Sequence, residues 1–251
     1  MNFGLQTSTG AFQYFVKVTN TINGTSATVN SNTITVNIYS AVALTTPTAI
    51  YGTQSSSLSY TLQATGGKAP YTFSIVTGTL PNGLTLDSST GVISGIPTAT
   101  GSTQIAFGVK DANYSSSDQG NSSAVTNTFT ISLSAAMTFS ASATQSGTVG
   151  TALVSPISFA VTGGRATVTY AISSGSIPNG LSFNTTTGAL SGTPTLDGTF
   201  NFTVTATDAN SATSSLAVTM NISKGAASTP TLGTVTPTSD GFTSQITKVT
   251  N

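Results

Sequence analysis

Apolar and polar residues alternate along most of this chain. Ile105, Phe107 and Val109 share one parity, and Phe202, Val204 and Ala206 repeat the arrangement further on. Phe129, Ile131 and Leu133 form another such set, as do Val218, Met220 and Ile222. A period of two sends successive side chains to opposite faces of a strand, so each set predicts a strand with one face in a core. No stretch carries the 3.6-residue period of an amphipathic helix. The expected class is all-β. No apolar run approaches the ~18 residues of a membrane-spanning helix, so no span is expected in this segment.

The pattern occurs twice. Residues 60–113 align without a gap on 157–210, an offset of 97. Leu80-Pro81-Asn82-Gly83-Leu84-Thr85-Leu86-Asp87 returns as Ile177-Pro178-Asn179-Gly180-Leu181-Ser182-Phe183-Asn184. Thr90-Gly91-Val92-Ile93-Ser94-Gly95-Ile96-Pro97 returns as Thr187-Gly188-Ala189-Leu190-Ser191-Gly192-Thr193-Pro194. Thr65-Gly66-Gly67 precedes the first copy of this anchor, and Thr162-Gly163-Gly164 precedes the second. Asp111-Ala112-Asn113 and Asp208-Ala209-Asn210 follow them. Two homologous domains of roughly 90 residues are implied, the size of an immunoglobulin-type sandwich.

Each shared residue has a mechanical reading. Pro81 fixes φ for a turn, and Asn82 and Gly83 are expected to supply its φ > 0 positions. Leu84 and Leu86 alternate inward, Asp87 caps the next turn through its side chain, and Gly91 takes the left-handed conformation that closes the hairpin. Ile93 restores the apolar face and Pro97 stops the strand.

These residues resemble the immunoglobulin-like repeats of bacterial and archaeal surface proteins, relatives of dystroglycan-type cadherin-like domains. The resemblance covers about residues 42–224 and rests on the Pro-Asn-Gly-Leu turn, the Thr-Gly-x-x-Ser-Gly-x-Pro hairpin and the strand ending in Asp-Ala-Asn. It implies tandem Greek-key β-sandwiches on large extracellular proteins, with no catalytic activity and no shared active site.

The ends read as fragments of the same design. Gly10–Asn20 matches Gly101–Asp111, and Thr33–Ile38 matches Thr128–Leu133. The expected partition is closing strands of a partial domain (1–41), repeat one (42–134), repeat two (135–226) and opening strands of a further domain (227–251). In that last piece Phe242, Ser244 and Ile246 share a parity. Connectors are expected near Ala41–Thr46, Ser134–Ala136 and Gly225–Thr229. The native polypeptide or assembly is expected to extend beyond residues 1–251. A longer tandem array is favoured over head-to-tail strand donation, because the two end pieces together lack the Pro-Asn-Gly hairpin. Without the missing strands, Tyr14, Val16 and Ile34 would be poorly covered.

Composition narrows the chemistry. Of 251 residues 88 are Ser or Thr, while His, Cys, Trp and Glu are absent. Thiolate and imidazole chemistry is therefore excluded, along with Cys/His zinc sites and a Ser-His-Asp triad. Six Lys+Arg balance six Asp, a net charge of zero that argues against nucleic acid, whose binding needs a basic excess. The absence of Cys leaves the redox compartment open. Met1–Leu5 has neither a basic nor an apolar region of the kind a signal peptide carries.

Three chemistries remain to be weighed. Calcium is suggested by Asp111, Asn113 and Asp118, which place oxygens at intervals in one loop. Ser116 stands where a calcium loop wants Gly, and no Glu closes the site. Turn capping by Asp and Asn is the plainer reading, and no other cofactor is expected. An intramolecular Lys–Asn cross-link needs an inward Lys. Lys17 and Lys110 have outward parity, Lys248 has inward parity, and solvated strand-end lysines are the plainer reading. A glycan would want an exposed aromatic, for which the candidates are Tyr51 and Tyr114. The loop 114–124 is where the copies differ in length, so Tyr114, Ser115 and Asp118 mark the candidate ligand-contact loop. Sequons such as Asn113-Tyr114-Ser115 occur at the frequency that so much Ser and Thr produces by chance.

The expected function is a non-catalytic structural stalk or fibre segment, extracellular or on a cell surface. Its partners would be neighbouring copies or further domains of the same protein, reached through the terminal segments. The alternative is a binding module, either a phage tail or capsid decoration or a glycan-contacting adhesin.

Overall fold

The structure is a computed structural model of the chain and describes residues 8–45, 49–113 and 125–226. All regular elements among them are strands, as the alternation predicts. Residues 114–124 and 227–251 lie outside the described residues.

A β-ribbon comes first. β1 (Gly10–Tyr14) pairs antiparallel with β4 (Ile34–Ile38), from Gly10↔Ile38 to Tyr14↔Ile34. Between them β2 (Lys17–Ile22) and β3 (Thr25–Asn30) form a hairpin. Its tip is Asn23-Gly24, at φ 52° and 81°, the two left-handed residues that a two-residue hairpin turn requires. The single strand expected over Gly10–Asn20 is therefore broken at Phe15-Val16. There Ser31 intervenes, its hydroxyl accepting from the Val16 N–H at 2.7 Å and its own N–H donating to the Val16 carbonyl at 2.7 Å.

The first repeat follows with β5 (Ala43–Thr45), β6 (Ile50–Thr53), β7 (Leu58–Thr61), β8 (Gln63–Thr65) and β9 (Thr72–Thr77). It continues with β10 (Leu84–Leu86), β11 (Val92–Gly95), β12 (Gly101–Lys110) and β13 (Val125–Ser134). One sheet runs β10-β11-β7, the other β6-β13-β12-β9, and β5 pairs with β8. The first strand of the second sheet lies parallel to the last, from Ile50↔Ile131 to Thr53↔Ser134. Ile105, Phe107, Val109, Phe129, Ile131 and Leu133 are all buried, as their parity predicts, and Phe107 meets Phe129 edge to face at 5.4 Å. Val42 and Leu44 join this core, so the expected connector at Ala41–Thr46 is partly a packed strand.

The anchor turn differs from expectation in one detail. The Leu84 N–H donates to the Pro81 carbonyl at 3.1 Å, placing Pro81 first in the turn and Gly83 third. Gly83 alone takes positive φ, at 91°, which is the type II pattern and leaves Asn82 in ordinary backbone space. A Cβ on Gly83 would fall on the Ile96 carbonyl oxygen, and one on Gly95 would fall on that of Gly83. Asp87 caps as expected, Oδ1 accepting from the Ser89 N–H and hydroxyl and from the Thr90 N–H at 2.7–3.1 Å. These bonds hold its carboxyl below the usual carboxylate range, the Ser89 hydroxyl contributing most. Gly91 takes φ 72° against the Phe73 ring.

The second repeat has β14 (Thr138–Phe139), β15 (Thr144–Thr148), β16 (Ile157–Ser158), β17 (Val161–Thr162) and β18 (Thr169–Gly175). It ends with β19 (Leu181–Asn184), β20 (Ala189–Gly192), β21 (Gly198–Thr207) and β22 (Thr213–Ser223). Its sheets run β15-β22-β21-β18 and β16-β20-β19, and β15 lies parallel to β22 as β6 does to β13. Phe159, fully buried, packs against Phe183 and Phe202 at 6.4 and 6.2 Å.

The described residues form two compact units. One comprises residues up to Thr138 together with Val161–Thr169 and Ala206–Ser214. The other comprises Phe139–Ala160, Tyr170–Thr205 and the residues from Ser215 on.

Candidate functional site

In each repeat a long strand is followed directly by Asp-Ala-Asn, which brings its aspartate to the Gly-Gly loop of the same repeat. In repeat one, Asp111 Oδ2 accepts from the Lys68 N–H at 2.8 Å and Oδ1 from the Asn113 N–H at 3.2 Å, while the Ala112 N–H donates to the Lys68 carbonyl. Repeat two does the same. Asp208 Oδ2 accepts from the Arg165 N–H at 2.9 Å and Oδ1 from the Asn210 N–H at 2.8 Å. The loops need glycine here. A Cβ on Gly66 or Gly163 would fall on the carbonyl oxygen of Ala41 or Ala136, where the preceding linker passes. That linker is itself bonded, since Gly67 and Gly164 donate to the carbonyls of Ser40 and Ala135, both at 2.8 Å.

Asp208 holds more than its own loop. Within the first unit its Oδ2 also accepts from the Thr53 hydroxyl at 2.5 Å, and its Oδ1 from the Ala212 N–H at 2.9 Å. The Asn210 side-chain amide donates back to the Thr53 hydroxyl oxygen at 2.9 Å. Asp208 is only 5% exposed. Burial alone would raise its pKa, but the bonds from Thr53, Arg165, Ala212 and Asn210 outweigh burial and hold the carboxyl below its usual range. Four donors thus satisfy one buried charge. Beside it the Arg165 guanidinium sits 3.6 Å from the centroid of the Tyr51 ring, a cation–π contact that occupies one face of that aromatic.

The sequence-derived candidates fare differently. Asp111 and Asn113 come together, but the Asp111 carboxylate faces backbone N–H groups. Tyr114, Ser115, Asp118 and Lys248 lie outside the described residues. Among the described residues, no three Asp, Glu, His or Cys side chains gather as a metal site. Lys17 is exposed on β2 and Lys110 is half-buried at the end of β12. Tyr51 is 44% exposed, with Arg165 over it. The recess beside Thr53, lined by Tyr51, Ser57, Asn210 and Ala212 among others, measures about 170 Å³. Pockets for organic cofactors start near ~300 Å³. Sequence reasoning missed the Thr53–Asp208 bond. The joint recurrence of Gly-Gly-Lys/Arg and Asp-Ala-Asn at one offset signals the bond from each aspartate to its own loop, but nothing in it points to Thr53.

Residues 40–134 and 135–223 each match the family model described as Putative Ig domain. A Staphylococcus aureus protein named serine-rich adhesin for platelets is 37% identical over 137 residues, which is 54% of this chain and 6% of that protein. The same-named protein of strain MRSA252 is 36% identical over 137 residues, 9% of its length. This chain thus spans less than a tenth of the relatives it matches. Among solved structures, Drosophila N-cadherin EC1-4 is 16% identical with a TM-score of 0.32, covering 88% of this chain and 60% of that one. Two matched stretches account for most of the sequence and coincide with the two sandwiches, and the chain belongs to the Putative Ig domain family.

Proposed function

We propose that this chain is a non-catalytic, extracellular or cell-surface segment of a larger protein, whose tandem sandwiches serve as a structural spacer. The observation that carries this reading is how the repeat uses its recurring polar residues. Asp111 and Asp208 bond loop backbone, and Asp87 and its counterpart Asn184 bond hairpin backbone. Such bonds hold loops in place. The outer faces suit a hydrated exterior of low charge, with cross-strand hydroxyl pairs such as Thr21–Ser26, Ser102–Ser132 and Thr205–Ser215 at 2.8–2.9 Å.

A second reading, a binding module, is favoured by one observation: the S. aureus relatives are named adhesins for platelets. A broad glycan array separates the two. A spacer gives no binding above background. Specific binding that disappears when residues 115–122 are deleted would replace the spacer reading with the adhesin one and assign the ligand to the loop containing Tyr114, Ser115 and Asp118.

A further inference from the structure

The ribbon β1–β4 reproduces the closing hairpin of a repeat. Gly10↔Ile38 and Tyr14↔Ile34 correspond in register to Gly101↔Leu133 and Ile105↔Phe129. The linkers that follow correspond as well, Ser40 receiving the Gly67 N–H as Ala135 receives that of Gly164. Two things present around β13 have no counterpart around β4 among the described residues. One is the parallel first strand, β6, which ends in Tyr51-Gly52-Thr53. The other is cover for the apolar face. Ile105, Ile131 and Phe129 are 0–1% exposed, whereas Ile34 and Val36 are 60% and 41% exposed, with Phe12 half-buried beside Val36.

We propose that the free edge of β4 and the Asp111–Lys68–Asn113 loop form one docking surface for the first strand of a further repeat of this type, lying ahead of β1 in the same polypeptide. The strand adds parallel to β4. Its terminal threonine donates to Asp111 as Thr53 donates to Asp208, and its sandwich covers Phe12, Ile34 and Val36. The two loops differ as this requires: Asp208, with its threonine, is buried, while Asp111 is half-buried and Asn113 and Lys68 are exposed. The matching continuation at Ser40 and Gly67 favours a repeat in the same chain over a separate subunit. The proposal holds whether the array acts as spacer or adhesin.

The test replaces residues 1–9 with a duplicate of residues 42–100 joined directly ahead of Gly10, which then takes the place of Gly101, and keeps the rest of the chain. Amide exchange at residues 34–38 is expected to slow about a hundredfold relative to the parent chain, as edge amides become ladder amides. D111N, and T53V within the duplicate, should each lower the melting temperature of the grafted chain. Combined they should cost less than the sum of the two, as groups sharing one bond do. Unchanged exchange, or strictly additive effects, would overturn the proposal. Protection of residues 34–38 that grows with concentration in the parent chain would also overturn it, by making a second copy the occupant.

Discussion

Asp208 shows at one residue how this protein uses its few charges. A carboxylate that is 5% exposed survives because it accepts from Thr53, Arg165, Asn210 and Ala212. D208N puts an amide donor where only donors point, and is expected to cost about 2–4 kcal/mol in chemical denaturation. T53V, which leaves the carboxylate its backbone partners, should cost about 1–2 kcal/mol. The sign of the pH dependence follows from the lowered pKa. The folded protein holds Asp208 ionised more firmly than the unfolded chain does, so its contribution is complete above the unfolded value of about 3.9. It is lost as pH falls from there through the folded value. An acid titration of stability should therefore be shallower in D208N than in the parent. An equally steep limb in both would refute this assignment. Gly83 illustrates the opposite constraint, of backbone rather than charge. At φ 91°, with the Ile96 carbonyl where a Cβ would stand, G83A should lose about 2–3 kcal/mol. A denaturation midpoint equal to the parent's would count against that geometry.

Elements were legible in the sequence wherever alternation and a turn signal agreed. β12, β13, β21 and β22 bury the residues their parity predicted, and Gly91 and Asp87 do what their positions in the hairpin suggested. Two elements were misread for physical reasons. The hairpin β2–β3 carries Asn23-Gly24 between alternating residues, a strong turn signal, yet the likeness of Gly10–Asn20 to an unbroken core strand obscured it. The segment 41–46 looked like linker because Val42 and Leu44 form too short a pattern to separate from loop. Both are buried in the core of the first repeat, where β5 pairs with β8, a partner eighteen or more residues away. The Thr53–Asp208 bond spans 155 residues and leaves no local pattern at all. Within elements the cores carry the stability. F159A removes a fully buried ring that contacts Phe183 and Phe202, and should cost about 3–5 kcal/mol. F107A, facing Phe129, should cost as much. A loss under 1 kcal/mol in either would mean that the site collapses around the deletion.

At the scale of the whole molecule, the near absence of charge makes a prediction of its own. With charged residues at 5% and net charge zero, long-range repulsion that salt could screen is small. Folding free energy then rests on apolar burial and on neutral hydrogen bonds, most of them within and between strands. No His or Cys is present, and Asp87 and Asp208 are pushed below the ordinary aspartate value of about 3.9. At the other end Tyr60 is raised by burial, so its stabilising preference for the neutral phenol is lost only as pH climbs past the unfolded value of about 10. Between about pH 5 and 9 no side-chain type present in this sequence has its ordinary pKa. The thermal midpoint should therefore stay within about two degrees across that range, and between low and physiological ionic strength. Scanning calorimetry at several pH values and salt concentrations measures both. A shift of ten degrees in either series would mean that charge pairs hold the sandwiches together, a role six acids and six bases are too few to fill.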